Sequence, residues 1–491
     1  MSVYLHFFIV NKKTFYKTQL TSIYGKIFLI TIFNFMEVKM SENNNERGSW
    51  GSRVGFLLAA AGSAIGLGNV WKFPYLTGAY GGAVFIVTYI ILLILVGFTI
   101  MLAELVIGRH SQQGPVGAYR AIRKNWAFAG FFGILASYLI LTYYSVIGGW
   151  IIKYIVSGIM GNFNTSDMDA LGGIFTNFIG QPVEPLIYHA IFMIITLGIV
   201  MGGIQGGIEK ASRILMPALF VILIAVVIRA VTLPGAMAGL EYMLKPDWSK
   251  FGIDVVVAAL VQVFFSLSLG MGVIITYGSY LGKNENLATS AVQIPLLDSA
   301  AALLSAFAVL PAVFALGYNP SAGPGLLFIT LPGVFAQMPM GSFFGVLFFI
   351  FVLFAAVSSS ISLLEAAVTY VCDEFKVKRK NATIGLGALA FLIGIPSSLA
   401  NGAFGSVTFI NGMNFFDSVG YIAENLLLPL SAFVLSIFIG WVWGTDKALE
   451  EATNNGTIKF GMAKIWVVAI KYVAPIAIGY ILIQSIMGLF A

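Results

Sequence analysis

The chain has 491 residues, 59% of them hydrophobic and 10% charged, with a mean hydropathy of +0.92. That balance excludes an ordinary soluble protein, and recurring apolar runs of about 20 residues leave no room for a sizeable soluble domain. Residues 1–40 hold five lysines and one glutamate, +4 of the net +6, so the remainder is nearly neutral and offers no basic surface for nucleic acid. A lone cysteine (Cys372) excludes an internal disulfide, and His6, His110 and His189 are too scattered for a metal or catalytic cluster.

Residues 1–39 read as an atypical extension. They lack sustained helical periodicity, and their apolar run Ile27–Met36 is too short to span a bilayer. The stretch from Met40, Met-Ser-Glu-Asn-Asn-Asn-Glu-Arg, reads like a polar amino terminus ahead of a transporter domain over 40–491. Eleven apolar segments then follow, near 54–80, 83–107, 127–158, 187–205, 208–233, 253–281, 289–316, 341–372, 382–400, 413–443 and 463–488. The pattern predicts an all-α protein of the cell membrane. Basic loops after the second segment (Arg109, Arg120, Arg123, Lys124) and the eighth (Lys376, Lys378, Arg379, Lys380) place the amino terminus in the cytoplasm. Eleven crossings then put the carboxyl terminus outside.

Two segments carry breaks. Gly62, Gly66 and Gly68, with Pro74 beyond, interrupt the first, and Ser266–Gly272 interrupts the sixth. Unwound backbone at membrane depth survives only where protein or a polar cavity satisfies it. The breaks lie five segments apart, so residues of about 54–233 and 253–443 form two five-helix repeats of opposite orientation, with 463–488 as an extra helix. Such a pair of broken helices predicts a transporter site near the bilayer midplane. No nucleophile–base pair suggests an enzyme.

Residues 50–109, from Trp50-Gly-Ser-Arg through Gly62-Ser-Ala-Ile-Gly-Leu-Gly-Asn-Val-Trp-Lys-Phe-Pro to Glu104-Leu-Val-Ile-Gly-Arg, resemble the first two helices of the neurotransmitter:sodium symporter family. The resemblance continues through 262–280, 355–374 and Trp441-Val-Trp-Gly-Thr-Asp-Lys. It implies sodium-coupled import of amino acids by alternating access, in a monomer or weak homodimer. The positive end of the half-helix at Leu67 and Gly68, which with Gly66 lie in the first break, suits a carboxylate. By similarity Tyr144 binds the carboxylate too, while Ala64, Phe265, Ser266 and Ser268 receive the amine. Ile140, Tyr144, Phe265, Met271, Ser359 and Leu363 would line the side-chain pocket. Gly66 stands where monoamine carriers have aspartate, and Met271, an adaptable side chain, replaces a bulkier aromatic. Both favour large hydrophobic or aromatic amino acids.

Two sodium ions are implied. The first would use Ala64, Asn69, Ser266, Asp298 and the substrate carboxylate. The second would use Gly62, Ile65, Ala355, Ser358 and Ser359, although serines in a helix also bond back to the preceding turn. Asp298 stands where the family commonly has asparagine and a nearby chloride, which predicts chloride independence, with proton antiport on the return step as a corollary. Glu104 reads as a structural hydrogen-bonding hub. The cytoplasmic gate maps to Arg47, Trp50, Ser279, Tyr280 and Asp373, with Arg47–Asp373 as the closing ion pair. Outside, Lys72 replaces the usual arginine; the usual acid aligns with Gly420, leaving Asp417 or Glu424 as partner. Gly207 and Pro217 mark an end of the fifth helix able to unwind. A chain starting at Met40 is expected to insert and to take up substrate in reconstituted vesicles like the full chain.

Overall fold

The computed structural model describes residues 48–162, 165–318 and 325–489. Its helices fall on the eleven predicted segments. The first, α1, consists of Arg53–Ala64 and Gly68–Ala79, bent by 54°. There follow α2 (Ala83–Ser111), α3 (Lys124–Ile159), α4 (Glu184–Met201) and α5 (Ile204–Val231). The broken α6 comprises Ile253–Ser266 and Val273–Gly278. Then come α7 (Leu287–Ala315), α8 (Gly341–Phe375), α9 (Arg379–Leu399), α10 (Phe415–Ala452) and α11 (Ala463–Met487). Neither half of α6 is long enough to cross a bilayer alone; its apolar length counts as a span only across the break.

The breaks have local causes. Leu269 N–H closes back on the Phe264 carbonyl (3.0 Å) while Ser268 takes a left-handed φ of 53°. That closure ends a helix in the manner usually served by glycine. Gly270 and Gly272 extend the positive-φ run at 75° and 69°. The freed backbone is satisfied from α2: buried Glu104 accepts the Gly270 N–H at 2.7 Å. Its other oxygen has no partner among the described residues. In α1, the Ile65 N–H returns to Ala61 and the Leu67 N–H donates to the Tyr144 hydroxyl.

Around these breaks α3 packs along α8 and α4, and α5 along α7. Small residues let backbones meet: a Cβ on Gly133 of α3 would lie 2.9 Å from the Gly272 nitrogen. Short helices that apolar counting passes over fill the connections. Met168–Gly180, between α3 and α4, buries Leu171, Phe175, Phe178 and Ile179 on one stripe, and Phe175 stacks on Phe328 at 5.0 Å. Ala236–Leu244 and Leu331–Ala336 sit between α5 and α6 and between α7 and α8. The predicted loose end of the fifth helix is wound here: Ile204–Glu209 is a π turn and the helix runs on through Pro217. The extension at residues 1–39 lies outside the described residues.

At Gly270 an added Cβ would meet the Leu428 carbonyl at 2.5 Å, on a backbone conformation that L side chains avoid. Gly270→Ala should therefore cost at least about 2 kcal/mol, read as a melting temperature several degrees lower for the detergent-solubilised protein.

Candidate transport site

Between the two breaks lies a narrow cavity walled by both of them and by α3 and α8. The breaks contribute Ser63, Ala64, Gly66, Leu67, Gly68, Phe265, Ser268 and Met271, and the wall comes from Ile140 and Tyr144 of α3 and Ser359 and Leu363 of α8. Eleven of the twelve residues expected around the substrate thus line one space, with Ser63 in addition. The exception is Ser266, whose hydroxyl turns away from the cavity toward Asp298. One end is polar. Tyr144 accepts the Leu67 N–H at 3.1 Å and so keeps its own proton to donate. Gly68 opens the outer half-helix, where the Asn69 and Val70 N–H groups close on the Gly66 carbonyl at 3.1 and 3.4 Å. A Cβ on Gly66 would lie 2.5 Å from Ser359 Oγ and 3.0 Å from the Tyr144 hydroxyl, so this end admits no side chain there.

Beside it Asp298 is fully buried on α7. Its carboxylate accepts from Asn69 Nδ2 (2.7 Å), Ser266 Oγ (2.7 Å) and the Tyr89 hydroxyl (3.1 Å). Asn69 turns its Oδ1 to the Gly66 N–H at 3.2 Å, bridging the break of α1 to α7. A buried carboxylate without such partners would cost several kcal/mol. Three hydrogen bonds offset part of that cost. The carbonyl of Phe265, a residue expected to receive the amine, accepts the Ser268 N–H at 3.4 Å.

On the α8 side, Ser358 Oγ bonds back to the Phe354 and Ala355 carbonyls, both at 3.0 Å, as helical serines often do. Ser359 reaches across to the Ser63 carbonyl at 3.0 Å. Gly62 lies against both neighbours: its Cβ would meet Met216 Sδ at 3.1 Å and Ser358 Cβ at 3.3 Å. Ile65 and Ala355 are fully buried in the same core.

Both mouths are closed. At the inner end, Trp50 donates its indole N–H to the Tyr277 carbonyl at 3.0 Å and packs edge-on against Tyr277 and Tyr280. Glu209 of α5 holds the start of α1 through Gly51 N–H (2.7 Å) and Ser52 Oγ (3.1 Å). The Tyr280 hydroxyl donates to Glu365 at 2.8 Å, and Arg379 pairs with that buried acid. Asp373 accepts the Gly114 N–H at 2.7 Å; Arg47, its expected partner, lies outside the described residues. At the outer end Lys72 meets Glu424 at 2.5 Å and lies 4.6 Å above the Phe265 ring, while the Tyr143 hydroxyl donates to the other Glu424 oxygen at 2.7 Å. Glu424, rather than Asp417, is therefore the partner of Lys72.

Comparison with known proteins places this arrangement. A model described as the Sodium:neurotransmitter symporter family matches residues 47–169 and 175–490. The chain belongs to that family. It is 38% identical over 444 residues to an uncharacterized sodium-dependent transporter of Bacillus subtilis strain 168, covering 90% of this chain and 98% of the relative. An uncharacterized sodium-dependent transporter of Haemophilus influenzae matches at 38% over 460 residues, 91% of this chain and all of the relative. The crystal structure of MhsT in complex with L-phenylalanine is similar at 45% identity and a TM-score of 0.83, covering 89% of this chain and 100% of that one. The protein is thus a membrane transporter rather than an enzyme, in a sodium-dependent family.

Within this symporter several site residues escaped sequence reasoning. Tyr89 carried a signal, a phenol hydroxyl in an apolar run that needs a buried acceptor. So did Glu365, an acid inside an apolar segment, and Arg379 beyond it. Ser63 and Glu209 gave none, because their partners lie on distant helices.

The outer ion pair is partly screened from water, with side-chain exposures of 24% and 17%. Glu424→Gln should release Lys72 and raise the labelling rate of a cysteine placed at Phe265, by several-fold over the same cysteine protein with Glu424 intact.

Proposed function

We propose that this symporter imports large hydrophobic or aromatic amino acids together with two sodium ions. The observation that carries the reading is the single cavity whose polar end is made of broken-helix backbone and Tyr144, and whose remainder is Ile140, Phe265, Met271 and Leu363. A free amino acid has that division of character. Its carboxylate would meet the Tyr144 proton and the positive end of the outer half-helix at Gly68. Its amine would face the oxygens of Ala64, Phe265 and Ser268, and its side chain the apolar wall. The L-phenylalanine bound to MhsT is in keeping with this class of substrate.

The first sodium ion would sit among Ala64, Asn69, Ser266, Asp298 and the substrate's own carboxylate. Since the substrate supplies one ligand, each binds more tightly in the presence of the other, a reciprocal coupling. The second ion would take Gly62, Ile65, Ala355, Ser358 and Ser359, between α1 and α8. Asp298 would contribute a permanent negative charge beside the first ion, so chloride would be dispensable, and the emptied carboxylate would return with a proton. With the basic loops inside, the amino terminus is cytoplasmic and the carboxyl terminus outside. Transport then alternates between opening at Lys72–Glu424 and opening at Trp50.

Uptake of L-phenylalanine and leucine into proteoliposomes tests this. Uptake should require sodium over choline and survive replacement of chloride by gluconate. Asp298→Asn should slow it or make it chloride-sensitive, and Tyr144→Phe should weaken amino-acid binding roughly ten-fold, about 1.4 kcal/mol. Equal binding in sodium and choline would refute the coupling, and a wild type that stops without chloride would refute the role of Asp298.

A further inference from the structure

Ser63, the penultimate residue of the inner half of α1, stands where α1, the break of α6 and α8 meet. Its carbonyl accepts Ser268 Oγ at 2.9 Å and Ser359 Oγ at 3.0 Å. Its hydroxyl lies 2.6 Å from Ser362 Oγ and 3.1 Å from Ser268 Oγ. Each hydroxyl has one proton to give. Ser268 and Ser359 donate to the Ser63 carbonyl, and the Ser63 hydroxyl reaches Ser268 Oγ as donor. Ser362 donates to the Ser359 carbonyl at 2.8 Å, and at its 2.6 Å contact with Ser63 either hydroxyl can be the donor. The four side chains are buried, and Ser362 alone among them does not line the cavity.

We propose that Ser362 is a positioning residue that, through Ser63, couples the second sodium site to the amine end of the substrate cavity. The inference rests on the functional reading above. Sodium at that site would draw the oxygens of Ser358 and Ser359 on α8 toward the Gly62 and Ile65 carbonyls on α1. The Ser63–Ser362 bond makes that approach a joint movement of the two helices. The Ser63 carbonyl passes it to Ser268, which faces the cavity from α6. Without the Ser362 hydroxyl, only the Ser359 bond to the Ser63 carbonyl still ties α8 to Ser63, and Ser359 is the residue that the ion would draw away. The substrate site would then no longer register the ion. Interhelical hydroxyl bonds within membranes are individually modest, so the consequence is lost coupling rather than lost folding.

The test uses the full chain in detergent, with L-phenylalanine as probe. Sodium affinity is measured without the amino acid, by tryptophan fluorescence. L-phenylalanine affinity is measured at low and saturating sodium. In Ser362→Ala, sodium affinity without amino acid should stay within about two-fold of wild type, while the enhancement of L-phenylalanine affinity by sodium falls about ten-fold, within the range usual for coupled sites. Ser362→Thr, which keeps the hydroxyl, should retain the enhancement. Ser63→Ala should reproduce the loss, and the double variant should lose no more than Ser63→Ala alone, since each of them removes the Ser63–Ser362 bond. A coupled wild type with an equally coupled Ser362→Ala would overturn this inference alone. So would a Ser362→Ala that loses sodium affinity by itself to the same extent. A wild type that binds L-phenylalanine equally with and without sodium would overturn the functional reading as well.

Discussion

Inside a bilayer no water is available to a backbone N–H or carbonyl, so each interruption of a helix must find its partners within the protein. The architecture of this symporter follows from that constraint. The break of α1 is satisfied by Tyr144 from α3 and by Asn69 folding back on Gly66. The break of α6 is satisfied by a left-handed Ser268 and by Glu104 from α2. Helices that supply those partners must pack within hydrogen-bonding reach, which is why glycines line the contact between α3 and α6. What results is a small polar chamber inside an apolar bundle, with its dipoles already oriented.

Charge is handled by the same logic. Asp298 and Glu365 are both buried, yet each is served differently. Glu365 has a full ion pair with Arg379 and the Tyr280 hydroxyl, and belongs to the closed inner mouth. Asp298 has only neutral donors, Asn69, Ser266 and Tyr89. A carboxylate held by neutral partners keeps its negative field for a cation still to come. One whose charge is already cancelled does not. That contrast, more than the list of oxygens, is what favours Asp298 as the place for a transported ion.

Much of this was legible in the sequence. The glycines at 62, 66 and 68 and the run Ser266–Gly272 marked both breaks, because small residues cluster there within otherwise apolar segments. The family pattern then carried most cavity residues. What escaped depended on side-chain direction. Ser266 points at Asp298 rather than into the cavity, and a position in a motif does not record a rotamer. The partner of Lys72 was ambiguous because Lys72 and Glu424 both sit in π turns, Gly68–Lys72 and Ile422–Leu427. Each such turn inserts a residue and shifts the face that a count at 3.6 residues per turn would assign. The short helices of the outer connections were passed over because their burial comes from tertiary packing, which apolar run length does not report.

Glu209 has one further consequence. A single carboxylate on α5 binds Gly51 and Ser52 at the start of α1 and also Arg213, and it fills the space that a side chain at Gly55 would need. The inner half of α1 therefore cannot fray residue by residue. Its first turn is held at several points at once, and the carboxylate that takes two of its groups belongs to the helix carrying Pro217. Release of this end of α1 would then be a concerted step, in which the Glu209 contacts, the Trp50 bond to Tyr277 and the Arg53–Glu285 pair are given up together rather than one residue at a time.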